Sequence, residues 1–231
     1  MRLLGVLGGM GWSATAEYYR RLNEGIDARL GGLHSARVLV HSLDFQPVDD
    51  AENAGDWDEM ARLLVEGARS LQAGGAEGII LAANTMHVVA DQVADAVDVP
   101  FLHIAEATAR RVEASRQRKV GLLATLTTMS GDFYTTPFTQ RGIEVILPEE
   151  AERPEVDRII YEELVHGVIK DSSRRALRTV LQGMTDRGAE CVVLAGTELG
   201  LLLEEDDCPV PLHDTTAIHV DQALDWMLTE G

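Results

Sequence analysis

Two stretches of this chain are near copies of one another. GAEGIILAANT, from Gly75 to Thr85, matches GAECVVLAGTE, from Gly188 to Glu198, at a spacing of 113 positions. LGVLG (Leu4 to Gly8) pairs in the same way with VGLLA (Val120 to Ala124), Gly5 meeting Gly121 at 116 positions. DVPFLH (Asp98 to His103) resembles DCPVPLH (Asp207 to His213), with Pro100 and Pro209 offset by 109. Three blocks in one order, at nearly one spacing, indicate duplication of a unit of about 110 residues. The fold must therefore be one that half of the chain can build.

The repeated blocks are short apolar runs, and they alternate with longer helical patterns. LLGVLG, ARVLVHSL, EGIILAA, PFLHI, KVGLLA, IEVILP, ECVVLAG and PVPLHD read as strands. Near-continuous apolar runs separated by amphipathic segments are expected of parallel strands covered on both faces. Asp56 to Ala73 carries apolar residues at helical spacing and stops at Gly74-Gly75, a helix C-terminus signal. Glu155 to Val168 is expected to form a similar helix ending near Gly167. An α/β fold follows. In open parallel sheets ligands bind beyond the carboxyl ends of the strands. Two related units facing each other would bring ANT (Ala83 to Thr85) and GTE (Gly196 to Glu198) to opposite walls of one cleft.

Composition removes several function classes. Among 231 residues, 45% are apolar and 5% aromatic, so a sizeable core is expected to be aliphatic. A net charge of −18 disfavours nucleic acid and anionic membrane, which select cationic surfaces. No apolar run approaches the ~20 residues that span a bilayer. The opening MRLLGVLGGMGW reads as strand and glycine turn with no signal-peptide pattern. The two cysteines, Cys191 and Cys208, match no metal or redox spacing, and a cytoplasmic, reducing location suits them. No His/Cys/carboxylate cluster has metal-ligand spacing. GGMG (Gly8 to Gly11) would let backbone approach a ligand, yet it lacks the full dinucleotide fingerprint.

For acid–base work, Glu198 and His87 are the candidates. A Glu desolvated at a strand tip rises toward neutrality, and His is already near it. Asn84, Thr85 and Thr197 offer amide and hydroxyl groups at strand ends, either for a ligand or as helix caps. Thr125, after the first strand of the second half, is a polar wall.

GGMGWSATAEYY (Gly8 to Tyr19), ANTMH (Ala83 to His87), TLTTMSGDFY (Thr125 to Tyr134), IIYEELVHG (Ile159 to Gly167), GTELGLLL (Gly196 to Leu203) and HDTTAIH (His213 to His219) together resemble the aspartate/glutamate racemase family. The resemblance implies two pseudo-symmetric, Rossmann-like lobes, each with a mainly parallel four-stranded sheet, and a cleft between them. The N-terminal lobe would comprise residues 1–104 plus 214–231 and the C-terminal lobe 105–213. It further implies a cytoplasmic homodimer that racemises a small carboxylate without pyridoxal phosphate or any other cofactor. In the family one cysteine from each lobe flanks the substrate α-carbon; the matching positions here are Ala83 and Gly196. Carboxylate binding would fall to Asn84, Thr85 and Thr197, with Met10, Ala83, Thr125 and Gly196 lining the pocket. Trp12 stands where relatives commonly have proline, and would narrow the pocket, stack on a flat substrate, or pack as a lid. Asp214 and His219 recur in relatives and would serve the site or brace the lobes. Relatives that grip a distal carboxylate often use an arginine after the second strand, whereas this chain reads SLDFQPVDDAEN there, with Lys170 or His166 left to compensate. Without sulfur, racemisation would fall to Glu198, His87 or a threonine-held water. Decarboxylation or another enolate reaction, and silent carboxylate binding, are the alternatives.

Overall fold

Strands apolar on both sides are satisfied only inside a sheet covered twice. The computed structural model describes residues 1–229. Its first four strands are β1 (Leu4–Gly8), β2 (Val38–Ser42), β3 (Gly78–Leu81) and β4 (Phe101–Leu102), assembled in the order β2-β1-β3-β4. The next four are β5 (Lys119–Ala124), β6 (Glu144–Ile146), β7 (Cys191–Ala195) and β8 (Leu212–Asp214), in the order β6-β5-β7-β8. Every neighbouring pair is parallel. One topology is thus built twice, as the internal repeat requires.

The chain divides into two compact units, one running from Met1 to Ile104 and resumed from His219, the other from Ala105 to Ile218. The return crossing falls inside helix α11 (Thr215–Leu228). In the first unit, side chains alternate along the strands as a period of two demands. Leu4, Val6, Ile80 and Ala82 pack with Tyr18, Leu22 and Ile26 of α1 (Trp12–Leu30) and with Val220, Leu224 and Met227 of α11. Leu7, Ile79 and Leu81 point the other way, onto Met60, Leu64, Ala68 and Leu71 of α3 (Trp57–Ala73). Helix α3 begins where the sequence placed it: the Asp56 carboxylate accepts the Glu59 N–H at 3.0 Å. It ends against Gly75, whose φ of 95° suits glycine.

Two expectations need correction. The run containing β2 lies at a sheet edge, and Val40 remains 44% exposed, so this strand is not covered on both faces. The helix expected to reach Gly167 stops earlier: α8 (Arg153–Glu162) gives way to a 3-10 turn at Leu164–His166. The break occurs at Glu163, whose buried carboxylate accepts from Arg158 (2.7 Å), Ser173 (2.6 Å) and Lys170 (3.2 Å). Three side-chain donors outweigh another helical turn. Those donors, led by the Ser173 hydroxyl and then Arg158, lower the Glu163 pKa to about 2.

The two units differ instructively. Gly78 and Cys191 occupy the same place in the repeated block. A Cβ at Gly78 would lie 2.5 Å from the Trp226 ring of α11. Tyr18 and Tyr134 stand 116 positions apart, the spacing of Gly5 and Gly121, and both are fully buried. Tyr18 bonds to His219 at 2.9 Å, whereas Tyr134 bonds to Thr108 and Thr215. Each duplicated phenol therefore ties its own unit to α11. Giving the first unit the second unit's residue, Gly78→Cys, is expected to cost about 1–3 kcal/mol of stability through overpacking against Trp226, read as a lowered urea midpoint with unchanged slope.

Candidate active site at the strand tips

Because the strands are buried along their length, polar groups with access to a ligand collect at their carboxyl ends. In the first unit these are Gly9–Gly11 after β1, Leu43–Asp44 after β2, Ala82–Asn84 after β3 and His103 after β4. Met10, Ala83, Asn84 and Thr85 are buried there. Gly8 and Gly9 in the glycine turn are required by the fold itself. A Cβ on Gly8 would strike Thr15, and one on Gly9, at φ 97°, would strike the Leu43 carbonyl. The Gly9 N–H already donates to the Thr15 hydroxyl at 2.8 Å. Trp12, by contrast, is 76% exposed, so it is no packed lid.

His87 lies in the 3-10 turn Thr85–Val89 and is fully enclosed. Its Nδ1–H donates to the Ala83 carbonyl (2.8 Å), and its Nε2 accepts the Ile104 N–H (3.4 Å). Both nitrogens are committed to backbone, which fixes a neutral tautomer. Burial, followed by the neighbouring His103 and His219 rings, holds its pKa well below 6.5. The geometry is that of a brace across the β3 tip, not of a base open to a substrate. His219 is arranged likewise: Nε2–H donates to the Leu102 carbonyl (2.6 Å), Nδ1 accepts from Tyr18, and burial lowers its pKa to about 4. The two rings lie 6.2 Å apart, one bonded after the tip of β3 and the other to the carbonyl of Leu102 in β4.

In the second unit the tips are Thr125 after β5, Leu147–Glu152 after β6 and Gly196–Glu198 after β7, with Asp214 ending β8. Thr125 caps α6 (Leu126–Ser130), its hydroxyl accepting the Thr128 N–H at 3.3 Å and donating to the Thr128 hydroxyl at 3.0 Å. Asp214 caps α11 through the N–H groups of Thr216 (2.8 Å) and Ala217 (3.3 Å). Gly196 is buried, with α10 (Leu199–Leu202) following Glu198. The Thr197 hydroxyl donates to Glu198 Oε2 at 2.6 Å. Glu198 itself is only 7% exposed and does not cap α10. Burial raises its pKa, opposed by the Thr197 hydrogen bond.

The remaining expectations sort as follows. Lys170, expected as a free cation for a distal carboxylate, is held by Glu163 at 3.2 Å. Cys191 is fully buried, which pushes its thiol up to about 12, and burial also raises Cys208; neither is a thiolate near neutrality. Among the described residues no group of three or more His, Cys, Asp or Glu is placed to hold a metal, and no helix is long and apolar enough to cross a membrane. Sequence reasoning passed over Glu163 and Tyr18. The 116-residue spacing of the two tyrosines was the available signal for the latter.

Sheet order, strand-tip residues and the duplicated topology define a chain of the Asp/Glu/hydantoin racemase family, whose model matches residues 7–223; the protein belongs to it. It is 25% identical over 222 residues to the broad specificity amino-acid racemase RacX of Bacillus subtilis (strain 168), covering 93% of each chain. Among solved structures it resembles a Yersinia pestis protein provisionally designated an Asp/Glu racemase, with 44% identity, TM-score 0.93, and 99% of this chain and 100% of that one covered. An aspartate racemase homologue from Pyrococcus horikoshii OT3 follows at 32% identity and TM-score 0.84, with 99% and 100% covered.

The neutral imidazoles make stability depend on pH. An unfolded His binds a proton near 6.5, while His87 and His219 do so only at lower pH, so acid favours unfolding. Their contribution is complete above pH 6.5 and falls by roughly 1.4 kcal/mol per pH unit for each ring as pH drops toward the folded values. His213, lowered chiefly by burial, acts in the same sense, whereas the raised carboxyls of Glu198 and Asp157 oppose the loss at the acid end. Denaturant midpoints measured from pH 7 to 5 are expected to fall, and His219→Gln to flatten that fall.

Proposed function

We propose that the protein is a cofactor-independent isomerase that racemises or epimerises a small amino carboxylate, using Glu198 in place of a thiol. The observation that carries this reading is the buried Glu198 carboxylate, held by the half-buried Thr197 hydroxyl at the tip of β7, in a chain of the racemase family. Glu198 takes the α-proton, its basicity raised by desolvation and its orientation set by Thr197. At the adjoining tips of β5 and β7 in the same unit, Thr125 and Gly196 form the wall against which the substrate carboxylate lies, and the enediolate forms there as the proton leaves. The proton returns from Glu198, giving exchange alone, or from a threonine-held water on the opposite face, giving inversion. His87 keeps the Ala83 carbonyl in place and moves no proton. The reading includes a cytoplasmic homodimer with no pyridoxal phosphate.

One observation favours a second reading. Of the two acid–base candidates, His87 has both nitrogens on backbone, which leaves Glu198. Decarboxylation to an enolate needs a single proton delivery and would be served by one such group.

Incubation in heavy water with a panel of amino acids separates the readings. Loss of Cα–H with inversion supports racemisation, and release of CO2 from a malonate-type acid supports decarboxylation. Binding with neither marks a silent relative. Glu198→Gln is expected to lower exchange by about 10²–10⁴-fold, and the wild-type rate to rise with pH through an apparent value above 4.5, the ordinary Glu position. Ala83→Cys with Gly196→Cys supplies the missing sulfur, although a Cβ at 196 lies 3.1 Å from Leu199, which must yield slightly.

A further inference from the structure

The stretch Ile159 to Gly167 takes no part in the proposed reaction, yet within it Glu163 joins three segments of one unit. Its carboxylate, 3% exposed, accepts from Arg158 in α8, from Lys170, and from Ser173 in the first turn of α9 (Asp171–Asp186). Its carbonyl accepts the N–H groups of His166 (3.1 Å) and Val168 (2.9 Å), which closes the 3-10 turn Leu164–His166 and the bend at Gly167, φ 71°. One residue therefore fixes that turn with both its side chain and its backbone.

The turn packs against α10, the helix that begins directly after Glu198. With four residues, α10 is far shorter than the ~12 at which a helix holds together unaided, so its place is set by what it packs on. Its backbone is continuous with Glu198: the Leu199 N–H donates to the Gly196 carbonyl (3.2 Å) and the Leu201 N–H to the Glu198 carbonyl (3.0 Å). The far end of α10 is held from the same turn of α9. Arg174, next to Ser173, bonds to Asp207 (2.8 Å) and to Glu204 (3.0 Å), just past the helix. Helix α9 thus braces α10 twice, through Glu163 on one side and through Glu204 and Asp207 on the other.

We infer that Glu163 is a positioning residue for Glu198: its ion-paired carboxylate holds the 3-10 turn against α10, and α10 keeps the Glu198 carboxylate buried at the β7 tip. The inference rests on the reading of Glu198 as the proton-carrying group. Every residue in this chain of contacts belongs to the unit Ala105–Ile218. Burial raises the Glu198 pKa, the Thr197 hydroxyl and its own N–H oppose that, and no neighbouring charge contributes. Loss of the Glu163 charge therefore reaches Glu198 by moving it, not by a direct field.

Glu163→Gln keeps the size of the side chain and an acceptor for Ser173, but removes the charge that draws Arg158 and Lys170. Lys170→Gln, at a half-exposed side chain, removes one donor alone and serves where Glu163→Gln does not fold. Carbon-13 NMR of the glutamate carboxyls in the full chain reads the Glu198 titration, assigned by its disappearance in Glu198→Gln. Amide exchange reads the Leu199 and Leu201 N–H groups. Both variants are expected to move the Glu198 midpoint down toward 4.5 as water enters, and to lower protection at Leu199 and Leu201. Deuterium exchange on the amino acid that the wild type turns over is expected to lose about 10–10²-fold in kcat at unchanged KM, the size of a small misplacement. Glu162→Gln, an exposed neighbour, is expected to change none of these. An unmoved Glu198 midpoint with unchanged protection in a folded variant overturns the inference. So does an equal shift in Glu162→Gln, or protection lost evenly across the unit, which marks a general loss of stability. Wild-type exchange that is absent, or indifferent to Glu198→Gln, sinks the isomerase reading instead, and the titration and protection still decide the role of Glu163.

Discussion

Parallel pairing is the constraint from which the rest of this molecule follows. A central parallel strand has neighbours on both edges and cover on both faces, so β1, β3, β5 and β7 carry scarcely a polar side chain along their length. Polar groups are displaced to the carboxyl ends, where the backbone turns into helices. Asn84, Thr85, Thr125, Thr197 and Glu198 all lie within four residues of a strand end.

Holding those ends still requires polar groups beneath them, and burial decides the form these take. The two enclosed imidazoles are neutral, each giving one N–H to a carbonyl and receiving one donor in return. An imidazolium there would have to leave water without an anion to meet it. Glu163 is the opposite case: it stays charged, because Arg158, Lys170 and Ser173 converge on it. A buried ionisable group is thus neutral where only backbone and a hydroxyl meet it and charged where cations do. Glu198, with the Thr197 hydroxyl as partner and little solvent, sits between the two, its pKa raised by burial.

The absence of sulfur at positions 83 and 196 reads differently once the packing is known. Cys191, at the base of the strand that leads to Gly196, is sealed in the sheet and has a raised pKa, so it offers no substitute. Gly196 is close-fitted against Leu199. The next ionisable side chain along the same turn is Glu198, two residues on.

The amino-acid sequence by itself determined the duplicated α/β architecture, the order of its strands and helices, and the loops in which functional groups gather. Apolar periodicity and internal repetition are local signals, and each survives without knowledge of what packs on what. It also marked Glu198 and the threonines, because they follow directly on apolar runs. Only the tertiary structure decided what each polar group does. His87 reads as a base in ANTMH and becomes a brace because Ile104, 17 residues away, donates to it. His219 is closed off by Tyr18, 201 residues distant. The helix over 155–168 is cut short by donors from 170 and 173, and Gly78 is required by the ring of Trp226. Protonation and freedom of a side chain depend on the partners and burial that folding supplies, and those partners are remote in sequence.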